Sequence, residues 1–146
     1  MSNKYDVIII GAGAAGMMCA IESGKRGKSV LLVDHAAKIA EKIRISGGGR
    51  CNFTNMNTNP KNFISQNPNF SISALNQYTP HDFIELIKKH NIAYHEKTLG
   101  QLFCDHKSQL IIDMLLSECN QANVKIKKSF VVDKVEKVND EYIVIN

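Results

Sequence analysis

Val7-Ile8-Ile9-Ile10-Gly11-Ala12-Gly13-Ala14-Ala15-Gly16 is the stretch on which the fold turns. Three consecutive isoleucines behind Val7 are β-branched and apolar throughout, which suits a strand buried on both faces. The reading is a strand over Tyr5–Ile10, broken by Gly11–Gly16. From Ala14 to about Lys25 the residues favour a helix, with Gly24 and Gly27 as stop signals. A second apolar run, Lys28–Asp34, reads as another strand. Strand, helix and strand within about thirty residues form a βαβ unit, which implies parallel pairing and a right-handed crossover.

Gly11-Ala12-Gly13-Ala14-Ala15-Gly16 fits the G-x-G-x-x-G pattern, and it follows a predicted strand and opens a predicted helix, the context the pattern requires. Gly11 permits the tight turn, Gly13 lets a pyrophosphate approach the backbone, and Gly16 lets helix and strand pack closely. The helix N-terminus adds free N–H groups and a partial positive charge. Asp34 ends the second strand, where an acid accepts hydrogen bonds from adenosine ribose hydroxyls and disfavours a 2′-phosphate. FAD and NAD share this fingerprint, so both ligands stay open at this point.

A second glycine cluster lies in Ile45-Ser46-Gly47-Gly48-Gly49-Arg50-Cys51-Asn52-Phe53-Thr54-Asn55, twelve residues past Asp34. Three glycines let the backbone approach a ligand, and Arg50 adds a permanent cation. It reads as an anion-friendly loop that follows a dinucleotide towards its ring end. Residues 54–79, rich in Asn, Ser, Thr and Pro, read as an irregular excursion. Pro80–His90 reads as a helix capped by Thr79, Ile92–Glu96 and Gln101–Cys104 as short strands, and Ser108–Ala122 as a second long helix. Val124–Lys128 reads as a third parallel strand. Phe130–Val138 and Glu141–Ile145 read as an antiparallel pair around Asn139-Asp140.

Length and composition narrow the classes. The 146 residues suffice for one domain with a core, and 44% hydrophobic with 22% charged residues is ordinary for a globular protein. The net charge of +4 is mild. Five lysines fall between Lys125 and Lys137, and without an interleaved aromatic platform they read as a solvated face. Val7–Ile21 is an apolar or small run of fifteen residues behind Lys4, where Asp6 disfavours a signal peptide and the length falls short of the ~18 apolar residues that suggest a membrane span, so the expectation is a cytoplasmic protein. The four cysteines (Cys19, Cys51, Cys104, Cys119) form no C-x-x-C, and the histidines show no metal spacing. With no second cysteine near it in sequence, Cys51 reads as a structural or cofactor-contacting thiol.

Asp6–Gly16 together with Ile45–Asn55 resembles the N-terminal signature of the HI0933-like flavoproteins, bacterial NAD(P)/FAD-dependent, aminoacetone-oxidase-like oxidoreductases. The resemblance implies an α/β, Rossmann-like FAD-binding domain of the glutathione-reductase type, with a parallel sheet and an antiparallel ribbon. It implies that Gly11, Gly13, Ala14, Ala15 and Gly16 meet the pyrophosphate and Asp34 the adenosine ribose. Lys42, Gly49, Arg50, Cys51 and Asn52 would lie near the rest of the flavin nucleotide, and the backbone of Val132 near adenine. Three departures stand out. Asp34 replaces the usual glutamate, Ala40-Glu41-Lys42 replaces a Gly-Lys-Lys run, and Gly100-Gln101-Leu102-Phe103-Cys104 replaces Gly-Arg-Val-Phe-Pro.

Members of this family are longer. The expectation is therefore that residues 1–146 form the N-terminal part of an FAD/NAD(P)-binding domain, with the remainder of the domain and an inserted second domain absent. The expected function is the FAD-binding portion of a flavin-dependent oxidoreductase, with NAD(P)H as a possible electron donor to the full-length enzyme. The alternatives are a catalytically inert dinucleotide-binding or assembly module, and an NAD-binding domain. The partners expected are FAD and a small-molecule substrate, with no nucleic acid and no membrane.

Overall fold

The computed structural model describes residues 4–146. In chain order the elements are β1 Val7–Ile10, α1 Ala14–Lys25, β2 Val30–Val33, α2 Glu41–Ile45, β3 Asn52–Asn55, α3 Ile72–Gln77, α4 Pro80–Lys89, β4 Tyr94–Glu96, β5 Gln101–Cys104, α5 Gln109–Gln121, β6 Lys125–Lys127, β7 Lys134–Val138 and β8 Glu141–Ile145. Short 3-10 turns cover Ser46–Gly49 and Pro60–Asn62. The chain divides into two compact units, one made of the residues up to Lys42 together with Leu115–Asn146, the other of Ile43–Met114.

The first unit holds a parallel sheet of order β1-β2-β6. Its register pairs Val7 with Val30 and Ile10 with Val33, and Leu31 with Lys125. Val30, Leu32 and Val33 are buried, as are Met17, Ala20 and Ile21 of α1 and Leu115 and Cys119 of α5. Burial of each large aliphatic chain contributes about 1.5–3 kcal/mol. Two glycines set how closely the layers approach. A Cβ at Gly16 would stand 1.8 Å from the Gly11 carbonyl oxygen, and one at Gly24 would stand 2.3 Å from that of Ala122. Buried Glu118 is met by Lys25 at 3.6 Å.

The βαβ unit therefore stands, with two corrections: β1 is half-buried rather than buried on both faces, with Ile10 56% exposed, and Gly24 lies inside α1 rather than stopping it. The ribbon is shorter than expected. Pairing begins at Lys134, with Val138 opposite Glu141, and Asn139 and Asp140 both adopt positive φ as a two-residue hairpin turn requires. Residues 130–133 are not strand, because the Phe130 N–H donates to the Asp34 carbonyl at 2.9 Å, back towards the end of β2.

The second unit is built on an antiparallel sheet of order β3-β5-β4. Ile84, Ile87, Ile92, Leu102, Phe103, Cys104, Ile111, Ile112 and Met114 are buried. Phe53 packs on Phe83 at 5.9 Å and edge-on to Tyr94 at 5.7 Å. Thr79 caps α4 as expected, with the Thr79 N–H donating to the Asp82 carboxylate at 2.7 Å and the Asp82 N–H to Thr79 Oγ1 at 3.4 Å. Such a cap is worth about 1 kcal/mol.

Three short elements depart from the sequence reading. α2 and β3 replace what reads as loop, and α3 with the Pro60–Asn62 turn interrupts the excursion over 54–79. β3 lacks apolar alternation and exists through its pairing with β5, with an irregularity between Asn52 and Thr54. Among the described residues no helix is long and apolar enough to cross a membrane.

The two close approaches have a measurable consequence. Alanine is preferred to glycine inside a helix by about 1 kcal/mol, yet Gly16→Ala and Gly24→Ala each drive a Cβ into a carbonyl oxygen. Each substitution is expected to cost about 2–3 kcal/mol and roughly 5–10 °C in thermal midpoint. A midpoint that stays level or rises in calorimetry contradicts the packing described.

Candidate nucleotide-binding site

The chain leaving β1 stays tied to β2 for one more residue, as the Gly11 N–H donates to the Val33 carbonyl at 2.7 Å. Ala12 is fully buried, and its N–H donates to Asp34 Oδ2 at 2.7 Å. The backbone then turns outward, leaving Gly13, Ala14 and Ala15 exposed. Gly13 is the N-cap of α1 and offers no side-chain cap, and the first turn carries no acidic residue. The leading N–H groups of a helix have no acceptor within it, and the helix dipole adds positive potential there. A Cβ at Gly13 would meet nothing within 4 Å. The floor of the turn is closed by the tight fit at Gly16, and the space above Gly13 is open. Those residues fit the pyrophosphate of a dinucleotide.

Asp34 is the anchor of this edge. Its side chain is 12% exposed. Oδ2 accepts from Ala12, and Oδ1 accepts from the Ala36 N–H at 2.8 Å. The Asp34 N–H donates to the Lys127 carbonyl at 3.0 Å, and its carbonyl accepts from Phe130. A carboxylate has about four acceptor sites, so two backbone N–H groups leave capacity for hydroxyl donors. His35 is exposed beside it, with Nδ1 3.5 Å from Oδ1. Val132 is half-buried between fixed neighbours: the Val131 carbonyl accepts from Asn146 at 2.6 Å, and the Asp133 N–H donates to Ile145 at 2.9 Å. Among the described residues the Val132 backbone groups have no partner. Lys42 stands exposed on α2.

In the second unit, Gly47 (φ 59°) and Gly48 (φ 64°) lie in the left-handed region. Gly47 is doubly constrained, because a Cβ there would stand 2.7 Å from Phe103 Cε1. The turn folds back on itself: the Arg50 N–H donates to the Gly47 carbonyl at 3.3 Å and the Cys51 N–H to that of Ser46 at 2.9 Å. It is clamped from outside by the Ser108 N–H on the Gly49 carbonyl at 2.7 Å, Ser108 Oγ on the Arg44 carbonyl at 2.8 Å, and the Cys104 N–H on the Arg50 carbonyl at 3.0 Å. The Asn52 amide faces the Leu102 and Thr54 carbonyls at 3.1 Å. The segment is therefore a rigid turn leading into a strand. Two backbone N–H groups that a loop would offer to an anion are used internally, and the exposed Arg50 side chain is its outward cation.

The sheet also supplies what sequence distance hides. Pairing of Asn52 with Phe103 brings buried Cys51 and buried Cys104 into the same neighbourhood. Burial pushes the Cys51 thiol up, against a smaller downward pull from Ser46. Burial, with Cys51 and Asp105 adding to it, pushes Cys104 up to about 11. Cys119 is also raised to about 11, by burial first and then by Glu118. These thiols are protonated at neutral pH and are poor nucleophiles. No sequence signal pairs Cys51 with Cys104, since the contact arises from strand pairing alone.

Cys104 and Cys119 bind their protons more tightly in the folded chain than at the ordinary value of 9.0. Their contribution to stability is complete below that value and is lost as pH rises towards 11. Chemical denaturation between pH 8 and pH 11 is expected to find falling stability, with a smaller fall in Cys104→Ala/Cys119→Ala. An equal fall in that variant contradicts the assignment to these thiols.

A protein family described as the HI0933-like protein Rossmann domain matches residues 5–146. The chain is 56% identical over 124 residues to the ribosomal RNA dihydrouridine synthase of Escherichia coli, covering 85% of this chain and 31% of that protein. It is 51% identical over 144 residues to the protein of the same name from Haemophilus influenzae, covering 98% of this chain and 36% of that one. The chain thus spans about a third of the length of these curated relatives. Among solved structures it is similar to the halogenase PltM in complex with phloroglucinol and FAD, with a TM-score of 0.52, 20% identity, and coverage of 98% of this chain and 31% of that one. The chain belongs to the HI0933-like family, and its fold is the Rossmann-like α/β architecture of FAD-binding domains.

Proposed function

We propose that this chain is the FAD-binding part of a flavin-dependent oxidoreductase that reduces uridine in ribosomal RNA. The observation that carries the cofactor is the cradle at Gly11–Gly16, closed beneath Gly16 and open above Gly13. The names of the two relatives at 56% and 51% identity support the substrate. RNA takes the place of the small molecule expected from the sequence, and the expected absence of a nucleic-acid partner is given up with it.

In this reading the exposed N–H groups of Ala14 and Ala15, with that of Gly16, receive the pyrophosphate. Gly13 allows its approach by having no side chain, and Gly11 holds the turn to β2. Asp34 uses its two spare acceptor sites for the adenosine ribose hydroxyls, while its backbone bonds fix it against rotation. The Val132 backbone, held by its neighbours, meets adenine. Lys42, Gly49, Arg50, Cys51 and Asn52 meet the rest of the flavin nucleotide, and the Arg50 guanidinium offsets negative charge there. Bound FAD supplies hydride chemistry, and forming dihydrouridine adds one hydride and one proton across a carbon–carbon double bond of uracil. NAD(P)H is the proposed source of the reducing electrons, and the cytoplasm the proposed compartment.

Gly13 and Asp34 separate binding from folding. Gly13→Ala fills only open space, so the thermal midpoint is expected to hold within about 2 °C. FAD affinity in a fluorescence titration is expected to fall at least roughly tenfold, about 1.4 kcal/mol. Asp34→Ala strands two backbone donors and is expected to lose about 2–3 kcal/mol of stability along with FAD affinity. Saturable binding of NADH without binding of FAD, or an undiminished FAD affinity in Gly13→Ala, contradicts the cofactor assignment.

The substrate has its own test. Deleting the gene is expected to remove a dihydrouridine from ribosomal RNA, read by mass spectrometry of RNA digests. An unchanged dihydrouridine content removes the substrate from the proposal and leaves the cofactor standing.

A further inference from the structure

We propose that the exposed edge of β6, formed by Lys125 and Lys127 with Lys128 just beyond it, is a contact surface for the phosphate backbone of RNA. The inference rests on the reading that RNA is the substrate. β6 is the outer strand of the parallel sheet in the order β1-β2-β6, so one side of it is unpaired among the described residues. Lys125 and Lys127 alternate with half-buried Ile126 and so share a face, about 6.6 Å apart along the strand. All three lysines are exposed.

Their charge is not cancelled within the unit. Of the five lysines between Lys125 and Lys137, Lys134 is paired with Glu136 and Lys137 with Asp140. Lys4 is likewise paired with Glu141 at 2.9 Å. Lys125, Lys127 and Lys128 have no carboxylate within ion-pair distance among the described residues. Two of them are instead held over aromatic rings. Lys127 Nζ lies 4.3 Å from the Phe130 ring centre and Lys125 Nζ 5.7 Å from that of Tyr5. The aromatic partners that seemed missing from the sequence are thus present in space, one from within the segment and one from the other end of the chain.

The rings restrain two of these exposed ammonium groups, which lowers the ordering cost of binding an anion. Covered by lysines, they are not free to stack on bases. The chemistry recognised is therefore phosphate, independent of sequence, and its signature is salt dependence. Lysines on an edge strand also discourage edge-to-edge pairing, but that role needs neither the rings nor Lys128.

The test is a salt titration of the chain binding a 20-nucleotide single-stranded RNA, with FAD affinity and thermal midpoint measured in parallel. Lys125→Gln/Lys127→Gln/Lys128→Gln is expected to weaken binding at least roughly tenfold at low salt and to reduce the log–log salt slope by about two. FAD affinity and midpoint are expected to hold. The triple Lys→Arg variant is expected to restore the slope, and Lys134→Gln/Lys137→Gln to leave it near the parent value. The proposal is overturned if the parent chain binds no RNA, if the triple neutralisation leaves slope and affinity unchanged, or if FAD affinity falls in step with RNA affinity. The underlying reading of function fails on different measurements, the FAD titration and the dihydrouridine content after gene deletion, whichever way the RNA titration falls.

Discussion

The Asp34 carboxylate accepts one backbone N–H from Ala12, in the turn after β1, and another from Ala36, in the turn after β2. Its own N–H and carbonyl reach Lys127 and Phe130. One residue thereby joins the ends of all three parallel strands and the chain that leads to Val132. The open geometry at Gly13 depends on this, because the glycine turn has no side chains with which to brace itself. Charge-assisted bonds to backbone N–H groups are about twice as strong as neutral ones, and with the side chain mostly shielded they are little weakened by solvent. The two remaining acceptor sites of Asp34 are then aimed by the same bonds.

The two glycine clusters use the residue for different physical reasons. Gly16 and Gly24 are close-approach positions, where any Cβ would occupy the place of a carbonyl oxygen. Gly13 is a vacant position that a Cβ could enter without a clash, and vacancy is its use. Gly47 and Gly48 carry left-handed backbone, and they let Ser46–Cys51 fold into a turn that Ser108, just before α5, and Cys104 of β5 then clamp. The spacing rule anticipated the close packing at Gly16, because that offset in G-x-G-x-x-G has one geometric meaning, whereas Gly24, read as a stop signal, lies inside α1 and packs against Ala122. The consecutive run has no such grammar, and its reading as a pliable anion loop missed how much of its own backbone it consumes.

The first unit was legible for a related reason. Val7–Ile10 and Val30–Val33 are uniformly apolar, β2 largely buried and β1 half-buried with Ile10 at its exposed end, and the helix between them is flanked by glycine on both sides. The second unit was less so. Asn52-Phe53-Thr54-Asn55 has one aromatic among polar residues, and its strand character comes from β5. Ile72–Gln77 and Glu41–Ile45 are too short for periodicity to declare itself. Phe130–Val131-Val132 has the composition of a strand, yet the Asp34 carbonyl takes the Phe130 N–H and the segment becomes a connector. The neighbourhood of Cys51 and Cys104 was invisible for the same reason, as it is made by pairing across some fifty residues of chain. Local signals read the elements that local burial creates; long-range hydrogen bonds decide the others.

The charge distribution separates two tasks that a single lysine-rich site would confuse. The cradle holds no Lys or Arg between Gly11 and Gly16, so whatever phosphate it takes is met by backbone N–H groups and the end of α1. Neutral donors in fixed positions select a shape, and they bind a small dianion without attracting every polyanion in the cell. Lys125 and Lys127, also without a carboxylate partner, lie instead on β6, over Tyr5 and Phe130. A long polyanion is captured by several cations at a common spacing, and affinity scales with how many counterions it sheds. A cofactor needs the first kind of site and an RNA backbone the second. If the chain binds both as proposed, keeping the two kinds of contact chemically distinct would stop one ligand from competing for the other's.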